Sequence, residues 1–139
     1  YRYGEAYALN AAEKILFRRC AQDKARHLAY GMSHVRYAVS ENGDDYAVGL
    51  LRMMGGVEQD LVTEMKDPVM WEALAIIFGG GLENISSGMN VVRDLQRRYV
   101  DEYMARMQWA GIDKTVDNLA PGLAAYLNQE AAQESGAPA

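Results

Sequence analysis

The chain has 139 residues, of which 50% are apolar and 24% charged, and this balance and length are typical of one globular domain with a hydrophobic core. The net charge of −5 and the lack of any basic run exclude a general affinity for nucleic acid, and no apolar run is long enough to span a membrane. The single cysteine, Cys20, excludes an internal disulfide and favours a reducing cytoplasm.

Good helix formers dominate the chain, and the first helix is expected to run from about Glu5 to Val39. It should end at Asn42-Gly43, a strong stop signal, with a second helix from about Asp45 to Met65. The chain starts at Tyr1 with a segment that already reads as the interior of a helix. We therefore expect the sequence to be a piece of a longer protein whose upstream part is missing.

Asp67 and Pro68 predict the start of a third, largely apolar helix, in which the run Gly79-Gly80-Gly81 either breaks the helix or lets backbones pack closely. A fourth helix is expected from Leu82 to about Ala110, followed by a short amphipathic helix. The pattern predicts an all-α bundle of four main helices plus a short C-terminal helix. It forms one domain over residues 1–130, and residues 131–139 are expected to be a disordered tail.

The first helix carries an unusual polar face. Glu13, Cys20, His27 and His34 follow one another at intervals of seven residues, so they share one side of the helix. Asp23 and Lys24 lie one turn before His27. Carboxylate and imidazole side chains at this spacing form metal sites in helical bundles.

The segment "RRCAQDKARHLAYGMSHVRYAV" resembles the metal-binding helix of the ferritin-like diiron-carboxylate superfamily, in which a stretch like "DEARHxAFG" recurs. That superfamily includes ribonucleotide reductase small subunits and diiron N-oxygenases. Asp23, Arg26, His27 and Gly31 match the motif, and its glutamate ligand falls on Lys24. The resemblance implies a ferritin-like fold in which two irons activate dioxygen and oxidise a small organic substrate. His27 would be a metal ligand, with Asp23 binding the metal or hydrogen-bonded to a ligand.

The metal site is incomplete in this chain, because a lysine ammonium has no lone pair for a metal and would repel it. Two further carboxylates, Glu72 and Glu83, are candidates to contribute, since they lie in the most apolar part of the chain, which is expected to be buried and where an unpaired charge is expensive. They would share a helix face if the glycine run stays helical. Lys24 could instead neutralise one of them in place of a lost iron.

Two functions follow from these patterns. The first is a diiron oxidoreductase domain in which a missing segment or a partner chain supplies the remaining iron ligands to His27, Asp23, Glu72 and Glu83. The second is a metal-free helical module that serves in assembly, for instance as a homodimer. An apolar, glycine-rich third helix needs more cover than three other helices give, so both interpretations predict a homo-oligomer.

Overall fold

The computed structural model describes the backbone of residues 1–134 and the side chains of residues 1–128. These residues form helices without any strand, which confirms the all-α prediction. The helices are α1 (Arg2–Tyr7), α2 (Ala11–Met65), α3 (Pro68–Gly79), α4 (Ile85–Trp109) and α5 (Pro121–Glu134), with 3₁₀ turns at Leu82–Asn84 and Val116–Asn118.

The first predicted helix is interrupted near its start. The backbone is extended at Ala8, and a new helix begins after Asn10, whose side chain accepts a hydrogen bond from the backbone N–H of Glu13 at 2.9 Å. The Glu13 carboxylate in turn accepts from the N–H of Leu9 at 3.0 Å. This reciprocal cap fixes the start of α2 at Ala11 and separates the short helix α1 from it.

Helix α2 changes direction at Gly43, whose backbone angles (φ 74°, ψ −166°) are not helical. Met32 and Met54 both pack against the cluster formed by Met107, Ala110 and Ile112 at the end of α4. In a straight helix these two methionines would lie about 33 Å apart. The chain therefore folds back at Gly43, as the Asn42-Gly43 signal predicts, into an N half (residues 11–42) and a C half (residues 44–65).

Helix α4 lies at the centre of the molecule. The C half of α2 and the segment leading into α5 meet it in a second apolar cluster, made of Val62, Val100, Leu119 and Leu123. Helix α3 packs against α4 so closely that a Cβ atom at Gly88 would lie 1.8 Å from the carbonyl oxygen of Ala75. The absence of a side chain at Gly88 is therefore what permits this contact.

The glycine run breaks the third helix. Gly80 adopts the left-handed conformation (φ 76°) and Gly81 follows with φ 156°, so α3 ends before the turn at Leu82–Asn84. The expectation that Glu72 and Glu83 are buried is wrong, because both residues are exposed and Ala75 alone in α3 is buried. Water solvates the two carboxylates, which therefore require no metal or lysine for compensation.

At the carboxyl end, α5 continues to Glu134, four residues into the segment expected to be a disordered tail. The rest of that expected tail, residues 135–139, lies outside the described residues. None of the helices formed by residues 1–134 is long and apolar enough to cross a membrane.

Candidate functional site

Two of the predicted metal ligands lie together on the N half of α2. The Nε2 atom of His27 lies 3.7 Å from the Oδ2 atom of Asp23, and both side chains are at least half exposed. Arg26 donates a hydrogen bond of 3.2 Å to the other carboxylate oxygen of Asp23. The pair therefore forms a small polar patch in water, already balanced by a neighbouring cation.

The other candidates do not join this pair. Glu72 lies on α3 and Glu83 in the 3₁₀ turn after it, and Lys24 is exposed on α2 without an ion pair to either of them in the part of the chain described. The described residues contain no group of three or more His, Cys, Asp or Glu side chains that could hold a metal ion. These residues do not fit a diiron centre by themselves.

The buried ionisable groups lie elsewhere, between α2, α4 and the loop before α5. The Lys114 ammonium lies 2.7 Å from Oε1 of Glu58, and the two side chains are 0% and 2% exposed. Tyr103 donates its hydroxyl hydrogen bond to the same oxygen. The backbone N–H of Ala120 donates to Oε2 of Glu58 at 2.8 Å, and Lys114 also donates to the carbonyl of Asn118 at 2.8 Å.

We call these five residues, Glu58, Tyr103, Lys114, Asn118 and Ala120, the Glu58 network. Its buried charged groups find their hydrogen-bond partners within the network. Burial, together with the hydrogen bond to Glu58, raises the pKa of Tyr103 far above its usual range, which keeps the phenol neutral. Both carboxylate oxygens have donors, and the ammonium is enclosed by protein atoms. The network joins three chain segments that are far apart in sequence.

Neither Glu58 nor Lys114 was predicted from the sequence to be a site residue. A signal for Glu58 was present, because it lies one helical turn after Met54 and one before Leu61 and Val62, on the apolar stripe of the C half of α2. A charged residue on a buried stripe requires a partner. Lys114 lies outside any periodic segment, and nothing local marks it as that partner.

A groove of about 830 Å³ separates the N half of α2 from α4. Its lining is mostly apolar and includes Ala21, Ala25, Leu28, Met32, Ala105 and Trp109. Small alanine side chains on both helices leave this space unfilled, whereas further along α2 the larger Val35 and Val39 reach the core. Four charged residues, Arg2, Lys24, Glu102 and Arg106, also line the groove.

Helix α1 is attached to α4 by polar contacts. The Tyr3 hydroxyl donates a hydrogen bond of 2.6 Å to Asp94, and Arg2 pairs with Glu102. The hydrogen bond from Tyr3, followed by the ion pair with Arg98, holds the pKa of Asp94 below its usual value. Burial and the same hydrogen bond raise the pKa of Tyr3. Both shifts favour the ionisation states found at neutral pH.

The C half of α2 presents an apolar face to solvent. Tyr46, Met53 and Val57 are 42%, 72% and 69% exposed, and at helical spacing they share one side with Gly49 and Gly56. We call these five residues the outer face of α2. A Cβ atom added at either glycine would have no atom within 4 Å apart from the neighbouring backbone of its own helix. The face therefore combines large apolar side chains with gaps between them.

Comparison with protein-family models, with curated proteins and with solved structures finds no match to this chain.

Proposed function

We propose that this chain is a helical assembly module that forms a homodimer through the outer face of α2. The observation that carries the proposal is the exposure of large apolar residues at helical spacing along that face. Large exposed apolar surfaces on a helix mark protein interaction sites, because covering them removes apolar area from water.

The glycines of the outer face support the same proposal. A glycine inside a helix is less stable than alanine by up to about 1 kcal/mol, and the monomer gains nothing from Gly49 or Gly56, since a Cβ atom would fit at both. Without side chains at these positions, a second helix can approach the backbone of α2 closely. Close packing of a partner helix gives these residues a physical role.

The polar groups favour assembly over catalysis. Among the described residues, Glu58 and Lys114 are the buried charged groups, and internal partners satisfy both. Catalytic acids and bases need a perturbed pKa and access to substrate. Tyr103 has the perturbed pKa, but its hydroxyl is bonded to Glu58 inside the network.

The proposal is tested by the mass of the protein in solution, measured by sedimentation equilibrium over a range of concentrations. We expect a dimer, and we expect Met53→Glu to convert it to a folded monomer, because a charge would be buried at the centre of the interface. A wild-type chain that remains monomeric throughout would overturn the proposal.

The matched control is Val69→Glu. Val69 is an exposed apolar residue on α3 (75% exposed), so this variant makes the same kind of chemical change away from the outer face. It should leave the dimer intact. If both variants dissociate the dimer, or neither does, the interface is not at the outer face of α2.

The ferritin-like, diiron interpretation stays a prediction. Its support in the structure is the adjacency of Asp23 and His27, which places a carboxylate and an imidazole side by side on one helix. The remaining ligands would have to come from a second copy or from chain outside this sequence. This pair lies on the N half of α2, so the proposed dimer interface on the C half would not depend on it.

A further inference from the structure

We propose that the groove between the N half of α2 and α4 is a docking site for one amphipathic helix of a partner protein, with acidic residues on both sides of its apolar face. The groove lies outside the proposed dimer interface, which is on the C half of α2. The inference therefore goes beyond the proposed function and does not depend on it. A helix that lays its apolar face into a groove is a recurrent mode of recognition between proteins.

The dimensions of the groove fit a helix. The groove follows α2 from Ala21 to Ser33, which is about 18 Å or about three turns of helix. Its volume of about 830 Å³ over that length gives a mean cross-section of about 46 Å², rather more than half that of a helix about 10 Å across. A docked helix would therefore lie in the groove to about half its depth.

The apolar lining of the groove is open to water. Leu28 and Trp109 are 42% and 49% exposed, and the alanines at positions 25, 29 and 105 are exposed as well. Pockets for small molecules enclose most of the ligand surface, whereas a ligand in this groove would keep one side in water. An amphipathic helix has an apolar side to bury and a polar side to leave in water. The open shape therefore favours a helix over a small molecule.

The charge of the groove is opposite in sign to that of the whole chain. Among the described residues that line it, Arg2, Lys24 and Arg106 are cationic and Glu102 is acidic, so their net charge is +2 in a chain of net charge −5. Glu102 pairs with both arginines, whereas Lys24 is exposed without an ion pair in the part of the chain described.

The cations lie on both sides of the groove, because Lys24 belongs to α2 and Arg106 to α4. Acidic residues on both flanks of a docked helix would therefore each lie near a cation. Complementary charge of this kind speeds encounter and selects the partner. Trp109 and Arg106 are also of the residue types that contribute most to binding at protein interfaces.

The test uses a synthetic peptide of two heptads, each Leu-Glu-Gln-Leu-Leu-Gln-Glu, which as a helix carries glutamates on both sides of a leucine face. The dye-labelled peptide is held at nanomolar concentration, so that it does not associate with itself, and binding is measured by fluorescence anisotropy. We expect the wild-type chain to bind it at least about tenfold more tightly than the same peptide with lysine at each glutamate position. Equal affinities for the two peptides would overturn the inference.

Two pairs of variants locate the bound peptide. Lys24→Glu should weaken binding about fivefold or more, because like charges would then face each other, whereas Lys14→Glu lies on the same helix outside the groove and should have little effect. Ala25→Glu should also weaken binding, since its carboxylate would be buried under the leucines, and Ala12→Glu is its control outside the groove. A peptide that binds all four variants as tightly as the wild type is bound elsewhere, and the inference fails.

The other possible occupants give different results. The Met53→Glu monomer should still bind the peptide. Dissociation of the dimer by Ala25→Glu would place a second copy in the groove, and displacement of the peptide by dodecanoate more readily than by unlabelled peptide would place a small amphipathic acid there; either result would overturn the inference. A wild-type monomer that binds the peptide would overturn only the proposed function, so the two failures are distinguishable.

Discussion

The ammonium nitrogen of Lys114 lies 2.7 Å from the carboxylate of Glu58, and both side chains are enclosed by the protein. This contact joins the C half of α2 to the loop before α5, and Tyr103 adds α4 to the same network. Three segments far apart in sequence thus meet at one carboxylate. The desolvation of both charges offsets much of their attraction, so the intact pair adds little net stability, whereas either charge left without its partner would be costly.

Lys114→Met should lower the free energy of unfolding by about 3 kcal/mol, because it leaves the Glu58 carboxylate buried without its cation. Urea denaturation followed by circular dichroism measures this loss. The double variant Glu58→Met with Lys114→Met should lose less than the sum of the two single variants, since no unpaired charge remains. Strict additivity of the two losses would show that the residues are not coupled.

Arg26→Met is the matched control for this variant. Its guanidinium pairs with Asp23 at 3.2 Å on the surface, where water screens the interaction. We expect a far smaller change in stability than for Lys114→Met. Similar losses for both variants would indicate that the burial of the Glu58–Lys114 pair has no energetic consequence.

Gly88→Ala should destabilise the fold by about 2 kcal/mol or more, because the new methyl group would overlap the backbone of Ala75 and force α3 away from α4. Gly31→Ala should do the opposite, raising stability by up to about 1 kcal/mol, since Gly31 lies in a helix with open space around it. Thermal and urea unfolding of the two variants measure this contrast. Equal effects of the two substitutions would contradict the close contact between α3 and α4.

The contribution of the hydrogen bond between Tyr3 of α1 and Asp94 of α4 to the free energy of unfolding should depend on pH. The folded pKa of Asp94 is lowered, so its contribution is present above the unfolded value of about 4 and is lost as pH falls through the folded value. The folded pKa of Tyr3 is raised, so its contribution is present below about 10 and is lost as pH rises through the folded value.

Tyr3→Phe removes the contribution of the Tyr3 hydroxyl and the part of the Asp94 contribution that depends on this hydrogen bond, whereas the ion pair between Asp94 and Arg98 remains. The difference in unfolding free energy between wild type and this variant should therefore be largest between about pH 5 and pH 9, and should shrink at both ends. The difference is expected to be small, because Asp94 lies near the surface. A difference that does not change from pH 3 to pH 10 would show that the hydrogen bond is not formed.

Local signals in the sequence predict most of the helices. Asn42-Gly43 marks the turn of α2, and Asp67-Pro68 marks the start of α3, where the Asp67 side chain accepts a hydrogen bond from Val69. The break before Ala11 was missed although Asn10 and Glu13 carry its capping signal. Each of these features depends on residues within one helical turn of each other, so the local sequence is enough to predict it.

The candidate sites were less predictable, because they depend on contacts distant in sequence. Glu58 and Lys114 are separated by more than fifty residues, and no periodicity links them. Glu72 and Glu83 were expected to be buried from the apolar residues around them, but exposure depends on which side of α3 meets α4. The open space around Gly49 likewise follows only from the packing of the whole chain.

Lys24→Glu should raise the affinity of the N half of α2 for divalent metal ions. The substitution removes a cation and adds a carboxylate one turn before His27, beside the existing contact between His27 and Asp23. Three potential ligands then lie on one exposed helical surface. We expect the affinity for Co²⁺, measured by titration of its visible absorption, to rise at least about tenfold. Lys14→Glu changes the charge of the same helix equally, far from either histidine, and should leave the affinity unchanged. Equal affinities in the two variants would mean that Asp23 and His27 do not form the core of a metal site, and the resemblance to diiron proteins would then lose its support in the structure.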